Sequence, residues 1–235
     1  MDTTRINEWF VPKFGPIKFR IFIGMLFLPY TGMCVSFTII GCMLADVIYW
    51  DRVLAISIIY FLALGISAHI ADNLGSKKIK PWGNYWTKSH LKAILIVSIL
   101  IAYSIGIYYI VTSTFLLIII AILEGFFLFA YNYELFNGRF HNSFWFAISW
   151  GSLPLLAGYI IQTNSISVLV LVLSSITFSI SLLEIRISKR YKSFKQESKD
   201  RNDKTIKKLE NILRVISICT ILFTSILVIL RYYIN

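Results

Sequence analysis

A small set of side chains in this 235-residue sequence carries chemistry that a hydrocarbon surround makes costly: His69, Asp72, Asn73, Glu124, Tyr131, Asn132, Glu134, His141 and Glu184. An ionisable group at membrane depth costs about 3 kcal/mol or more and normally faces a protein interior or a cavity. His69 and Asp72 are three residues apart, so on a helix they share one face, and Asn73 completes a polar end before Gly75 and the basic run at Lys77 and Lys78. A carboxylate and an imidazole at that spacing can hold a metal or relay a proton, and they can equally cap a helix end through a His–Asp hydrogen bond. The second cluster runs Tyr131-Asn132-Tyr133-Glu134, then Gly138-Arg139-Phe140-His141, then Phe144-Trp145-Phe146. Glu124 beside Gly125 suits a proton-linked or a packing position, and Glu184 is expected to pair with Arg186 or Lys189. Trp145, Phe144 and Trp150 read as an interfacial aromatic belt. The sequence holds no nucleophile elbow, phosphate-binding glycine loop, HExxH pair or dinucleotide fingerprint.

The elements that must position these residues follow from composition. Hydrophobic residues make up 57% of the chain and charged residues 15%, with a mean hydropathy of +0.72. Soluble domains run at roughly 45–50% apolar and about 25% charged. A helix needs about 20 mostly apolar residues to cross a bilayer. Spans are predicted near 20–45, 53–71, 91–112, 114–132, 143–162, 166–184 and 212–230. The runs are too long for strands, so the expected fold is an all-α bundle of about seven spans in a single membrane domain, 1–235. A cleavable signal peptide is not expected, because the first apolar run is too long for one. Cys34, Cys42 and Cys219 fall inside predicted spans and read as small apolar fillers.

Charge gives the orientation. Arg5, Lys13, Lys18 and Arg20 precede the first span, Lys77 to Lys92 follow the second, Arg139 follows the fourth, and a dense basic group from Arg186 to Arg214 follows the sixth. The intervening loops hold only Arg52 and, at the end, Arg231. Basic loops stay in the cytoplasm, so the expected location is the cell membrane with the N-terminus cytoplasmic and the C-terminus outside. On that side the net charge of +11 faces anionic lipid headgroups, which makes nucleic acid an unneeded partner. The loop over 186–209 reads as a solvated helix or a flexible segment. By the span count both polar clusters border the cytoplasm and can converge on one cavity.

The order of these features resembles the UbiA superfamily of intramembrane prenyltransferases. The stretch that carries the resemblance is Tyr131 to Gln162, with an aromatic end of the fourth span, a loop, and then Trp150-Gly151-Ser152-Leu153-Pro154-Leu155-Leu156-Ala157-Gly158-Tyr159. Gly65 to Lys77 falls where that family carries its first Asp-rich motif. The resemblance covers roughly 16–184. It implies transfer of an isoprenoid group from a diphosphate donor to an apolar acceptor, with Mg²⁺ on the cytoplasmic side. Carried over residue by residue, it makes Asp72, Asn132 and Glu134 catalytic and Asp72, Glu134 and Glu184 the metal carboxylates. His69, Asn73, Lys77, Lys78, Tyr131, Arg139 and His141 then hold the donor. The chain departs from the family in offering one carboxylate at the first motif, a single Glu184 at the second, and seven spans where nine are usual.

Two other readings use the same residues. His69, Asp72, Glu134 and His141 would hold Zn²⁺ or Fe²⁺ if the two helix ends approach, making a different metal-dependent membrane enzyme. A non-catalytic protein that binds or transports a lipid needs the same cavity and no metal.

Overall fold

The computed structural model describes residues 5–75, 82, 85–197 and 204–234. All regular structure among them is helical: α1 (Ile17–Met25), α2 (Leu28–Met43), α3 (Trp50–Gly75), α4 (Lys88–Thr112), α5 (Leu117–Asn132), α6 (Ser143–Thr163), α7 (Val168–Glu197) and α8 (Lys204–Ile234). Six helical segments are long and apolar enough to cross a membrane, with α1 and α2 counted as one segment, Ile17–Met43. The expected seventh span, α5, is shorter at 16 residues, about 24 Å at 1.5 Å per residue. The outer faces of α4 and α8 expose Ile96, Val97, Leu100, Ile218, Leu222 and Ile226, a surface suited to lipid rather than water.

The span predicted over 20–45 is long enough to tilt or to include an interfacial turn, and the helix turns within it. Phe27 adopts a left-handed φ of 46°, the chain turns there, and α2 restarts with Pro29 in its first turn, where a missing N–H costs nothing. Thr31 Oγ1 closes the turn by donating to the Leu26 carbonyl at 2.6 Å. Phe27 is buried against Phe10 and Tyr30, at ring separations of 4.2 and 4.5 Å.

α3 and α6 each contain a widened π-helical segment, Phe61–Ala68 and Ile148–Ser152. In α6 the cause is legible. Pro154 has no N–H for the Trp150 carbonyl four residues back, and that carbonyl accepts instead from Ser181 Oγ of α7 at 3.2 Å. Gly151 sits beside it, where a Cβ would meet the Thr177 carbonyl at 2.7 Å.

The tightest crossing joins α2 and α6. A Cβ on Gly41 would lie 2.0 Å from the Leu155 carbonyl oxygen, and one on Gly158 only 1.8 Å from that of Thr38. Membrane helices approach this closely only where small residues line the crossing. The loop before α3 is pinned to the far end of α6. Gln162 Oε1 accepts from the Tyr49 N–H at 2.8 Å, and Arg52 donates to the Ile161 and Gln162 carbonyls at 3.0 and 3.2 Å. Arg231 likewise donates to the Ala45 carbonyl. The two cations outside the basic loops thus cap carbonyl-rich ends.

The described residues of the segment over 186–209 are helical, as in the solvated-helix alternative, and part of them is buried. α7 runs on to Glu197 and α8 begins at Lys204, so both extend past their apolar spans. Tyr191, Ile206 and Leu213 form a small buried cluster against Trp9. Glu8 receives hydrogen bonds from Lys195 Nζ and Tyr191 Oη, both at 2.9 Å, and Arg20 Nε donates to the Pro12 carbonyl at 2.6 Å. The N-terminal segment is therefore fastened across this end of the bundle.

Replacing Gly158 with Ala is expected to lower stability by about 1–3 kcal/mol, the cost of overpacking a tight crossing. At Gly106 a new Cβ would touch only Ile59 Cδ1 at 3.9 Å, so Gly106→Ala should be neutral. Thermal unfolding of both variants in detergent checks the contrast.

Candidate functional site

The two polar segments meet at one end of the bundle. A Cβ on Gly75, the last residue of α3, would lie 2.3 Å from the Asn132 carbonyl oxygen, so the ends of α3 and α5 are in backbone contact. Asn132 is buried, and its Nδ2 donates back to the Leu128 carbonyl at 2.7 Å. Asp72 lies near enough to the Tyr131 phenol and to the Lys192 ammonium of α7 for its charge to act on both. Lys192 also feels the charges of Arg5, Glu8 and Lys189.

Aromatic rings line the way inward from this end. Tyr131 stands 5.8 Å from Phe146, Phe146 stacks on Trp150 at 5.3 Å with the planes 6° apart, and Trp150 lies 5.2 Å from the His69 ring. Trp150 is thus part of the core and not of an interfacial belt. On its other side His69 meets Phe27 at 5.5 Å. Its Nε2 is buried without a hydrogen-bond partner, as are Oδ1 of Asn73 and Oε1 of Glu184. Buried polar atoms normally have partners, so these orphans, with Tyr30 Oη beside Phe27 as a fourth, mark this half of the bundle as the place where a polar group from outside the chain would be welcome.

Among the described residues, the remaining expected site residues do not gather into one centre with these. Arg139 and His141 are on the exposed surface, and His141 packs its ring on Tyr131 at 4.5 Å with Nδ1 2.9 Å from the Tyr131 carbonyl. Glu134 is half-buried in the turn after α5 with a φ of 50°. Lys77 and Lys78 lie outside the described residues. Glu184 is 2% exposed and forms no bond to Arg186 or Lys189; Lys189 Nζ donates instead to Ser143 Oγ at 2.9 Å. Among the described residues no three His, Cys, Asp or Glu side chains gather where they could hold a metal ion. Asp72, Glu134 and Glu184 therefore do not converge as a Mg²⁺ site, and His69, Asp72, Glu134 and His141 do not converge as one for Zn²⁺ or Fe²⁺.

Sequence reasoning passed over the inward face of α7. Ser174, Thr177, Ser181, Glu184 and Ser188 recur at steps of three and four residues, all of them buried, and Lys192 continues the row. The signal was present as a polar stripe at helical spacing inside an apolar run. It escaped notice because a single serine or threonine in a membrane helix is ordinary.

A second polar feature lies about 12 Å further along α5, eight residues from Asn132 at 1.5 Å each. Glu124 Oε1 accepts from Tyr60 Oη of α3 at 3.1 Å, and Oε2 accepts from Ser149 Oγ of α6 at 2.7 Å. Three helices are thus joined on one carboxyl group. Ser149 reaches it from the π segment of α6, while the next residue, Trp150, faces His69.

Removing either hydroxyl, by Tyr60→Phe or Ser149→Ala, is expected to lower stability by about 1 kcal/mol. Removing both should cost more than the sum, since Glu124 is then left buried without a donor. A double-mutant cycle measured by unfolding in detergent reads the coupling, and strict additivity would count against the three-helix junction.

No protein-family model matches the chain, and neither a curated protein nor a solved structure matches it.

Proposed function

We propose that the protein is an intramembrane prenyltransferase of UbiA-like kind, transferring an isoprenoid group from a diphosphate donor to an apolar acceptor. The observation that carries this reading is the contact of Gly75 with Asn132. It unites the two segments on which the resemblance rests, with Lys192 within electrostatic reach of Asp72. The diphosphate lies at this end, on the cytoplasmic side, with the N-terminus on the same side.

In the transfer the allylic carbon–oxygen bond breaks and its electron pair leaves on the diphosphate. The allylic carbon then bonds to the acceptor, which gives up a proton. Cations at the polar end offset the charge that builds on the leaving group. The faces of Trp150, Phe146 and Tyr131 suit a developing allylic cation, because an aromatic ring presents negative charge on its face. His69 and Asn73 offer the buried polar atoms that orient the head. Arg139 and His141, being exposed, contribute only where the donor leaves the interior. Mg²⁺ enters this reading as a companion of the diphosphate, with Asp72 as the nearest carboxylate, and no step is routed through it.

A second reading, binding of an isoprenoid lipid without turnover, is favoured by the failure of three metal donors to gather among the described residues.

Membranes carrying the protein are expected to convert a radiolabelled isoprenoid diphosphate into an apolar product. Asp72→Ala and Glu134→Ala should reduce conversion at least tenfold with expression retained. Activity in Asp72→Ala within twofold of wild type would remove the assigned role. Saturable binding of the diphosphate without product would establish the second reading instead.

A further inference from the structure

The Glu124 carboxyl faces a cavity of about 70 Å³ between α3, α4, α5 and α6, whose walls include Ile56, Ala63, Ala102, Gly106, Ile110 and Leu128. Glu124 is the only Asp, Glu, Lys, Arg or His side chain on that wall; the other polar groups there are the phenols of Tyr60 and Tyr103. A water needs roughly 10–15 Å³ of such space and two to four polar partners, and a wall this apolar supplies few. An occupant with a hydrocarbon body fits it better.

The carboxyl has capacity to spare. Two oxygens offer about four lone-pair positions, of which Tyr60 and Ser149 use one each. An ammonium group brings three donors and would need several acceptors, whereas an alcohol brings one O–H and needs one. Tyr103 of α4 stands on the wall of the cavity. Its hydroxyl donates to the Ala121 carbonyl at 2.9 Å and rests on Gly125, where a Cβ would come within 2.1 Å of it. Ile107, on the same wall, and Ile122 are more than half exposed on the outer surface, so the cavity borders the lipid-facing side of α4 and α5.

We propose that this cavity takes the hydroxyl end of an apolar alcohol, a hydrocarbon or isoprenoid whose remaining body lies along α4 and α5 in the bilayer, and that the alcohol donates its O–H to Glu124. The site is separate from the polar end and stands whether or not prenyl transfer takes place there.

The test uses the full chain in lipid nanodiscs with a photoactivatable fifteen-carbon isoprenoid alcohol. Label is expected on α4 and α5 near Ile107 and Ala121. Unlabelled alcohol should displace it at about tenfold lower concentration than the matching hydrocarbon, the factor that 1.4 kcal/mol of hydrogen bonding gives. Glu124→Gln, which keeps an acceptor, should retain labelling, and Glu124→Leu should lose at least tenfold. Equal competition by hydrocarbon and alcohol in the wild-type protein overturns the proposal, and so does a long-chain amine that competes better than the alcohol. Both competitions are read on the wild-type protein, so they decide the matter even where Glu124→Leu fails to fold.

Discussion

The contact of α2 with α6 at Gly41 and Gly158 fixes where everything else in the bundle can stand. In lipid the hydrophobic effect does not favour helix against helix, and association rests on van der Waals contact and hydrogen bonds between helices. Two glycines bring two backbones into touch. α6, so anchored, carries Gly151 and the Trp150 carbonyl to α7 on one side and Ser149 to Glu124 on the other. A third close approach, Gly75 on Asn132, then draws the ends of α3 and α5 together. The polar residues converge because the backbones do.

The bundle is ordered by hydrogen bonds as much as by packing. Its lipid-facing surface is apolar, while the buried face of α7 is a row of serine, threonine and glutamate side chains. One of these hydroxyls repairs a break in another helix, Ser181 serving the carbonyl that Pro154 frees, while Ser152 of α6 donates to the Ser174 carbonyl of α7 at 3.0 Å. Inside a membrane such groups must find partners within the protein. Among the described residues the buried polar atoms that do not are on Tyr30, His69, Asn73, Trp86, Glu184, Arg214 and Arg231, and His69, Asn73 and Glu184 are the ones in the interior beside the polar end.

Much of this was legible in the sequence. Long apolar runs announce helices, and the clustering of His69 to Asn73 and of Tyr131 to Glu134 at run ends pointed to a shared polar end. The length of the first run allowed for a tilt or an interfacial turn, but the place of the turn at Phe27 was not legible, because Leu26-Phe27-Leu28 continues the apolar run and only a left-handed φ at Phe27 reveals it. The helical continuation of α7 past residue 186 fits the solvated-helix alternative, but its attachment was not legible, since Tyr191 and Lys195 are tied to Glu8 far away in sequence. Glu124 was visible as a lone carboxyl in an apolar span, but its partners Tyr60 and Ser149 lie 64 and 25 residues away, distances that no local pattern encodes. Trp150 read as an interfacial residue because aromatic composition cannot tell a belt from a core.

The central claim is that the end formed by α3, α5 and α7 receives the charged head of an isoprenoid lipid. Native mass spectrometry of the protein released from membranes tests it most directly. The expected result is a retained isoprenoid species bearing phosphate, lost when His69 and Asn73 are both replaced by Leu. A wild-type protein that carries only bulk phospholipids, in the proportions of the surrounding membrane, would contradict it.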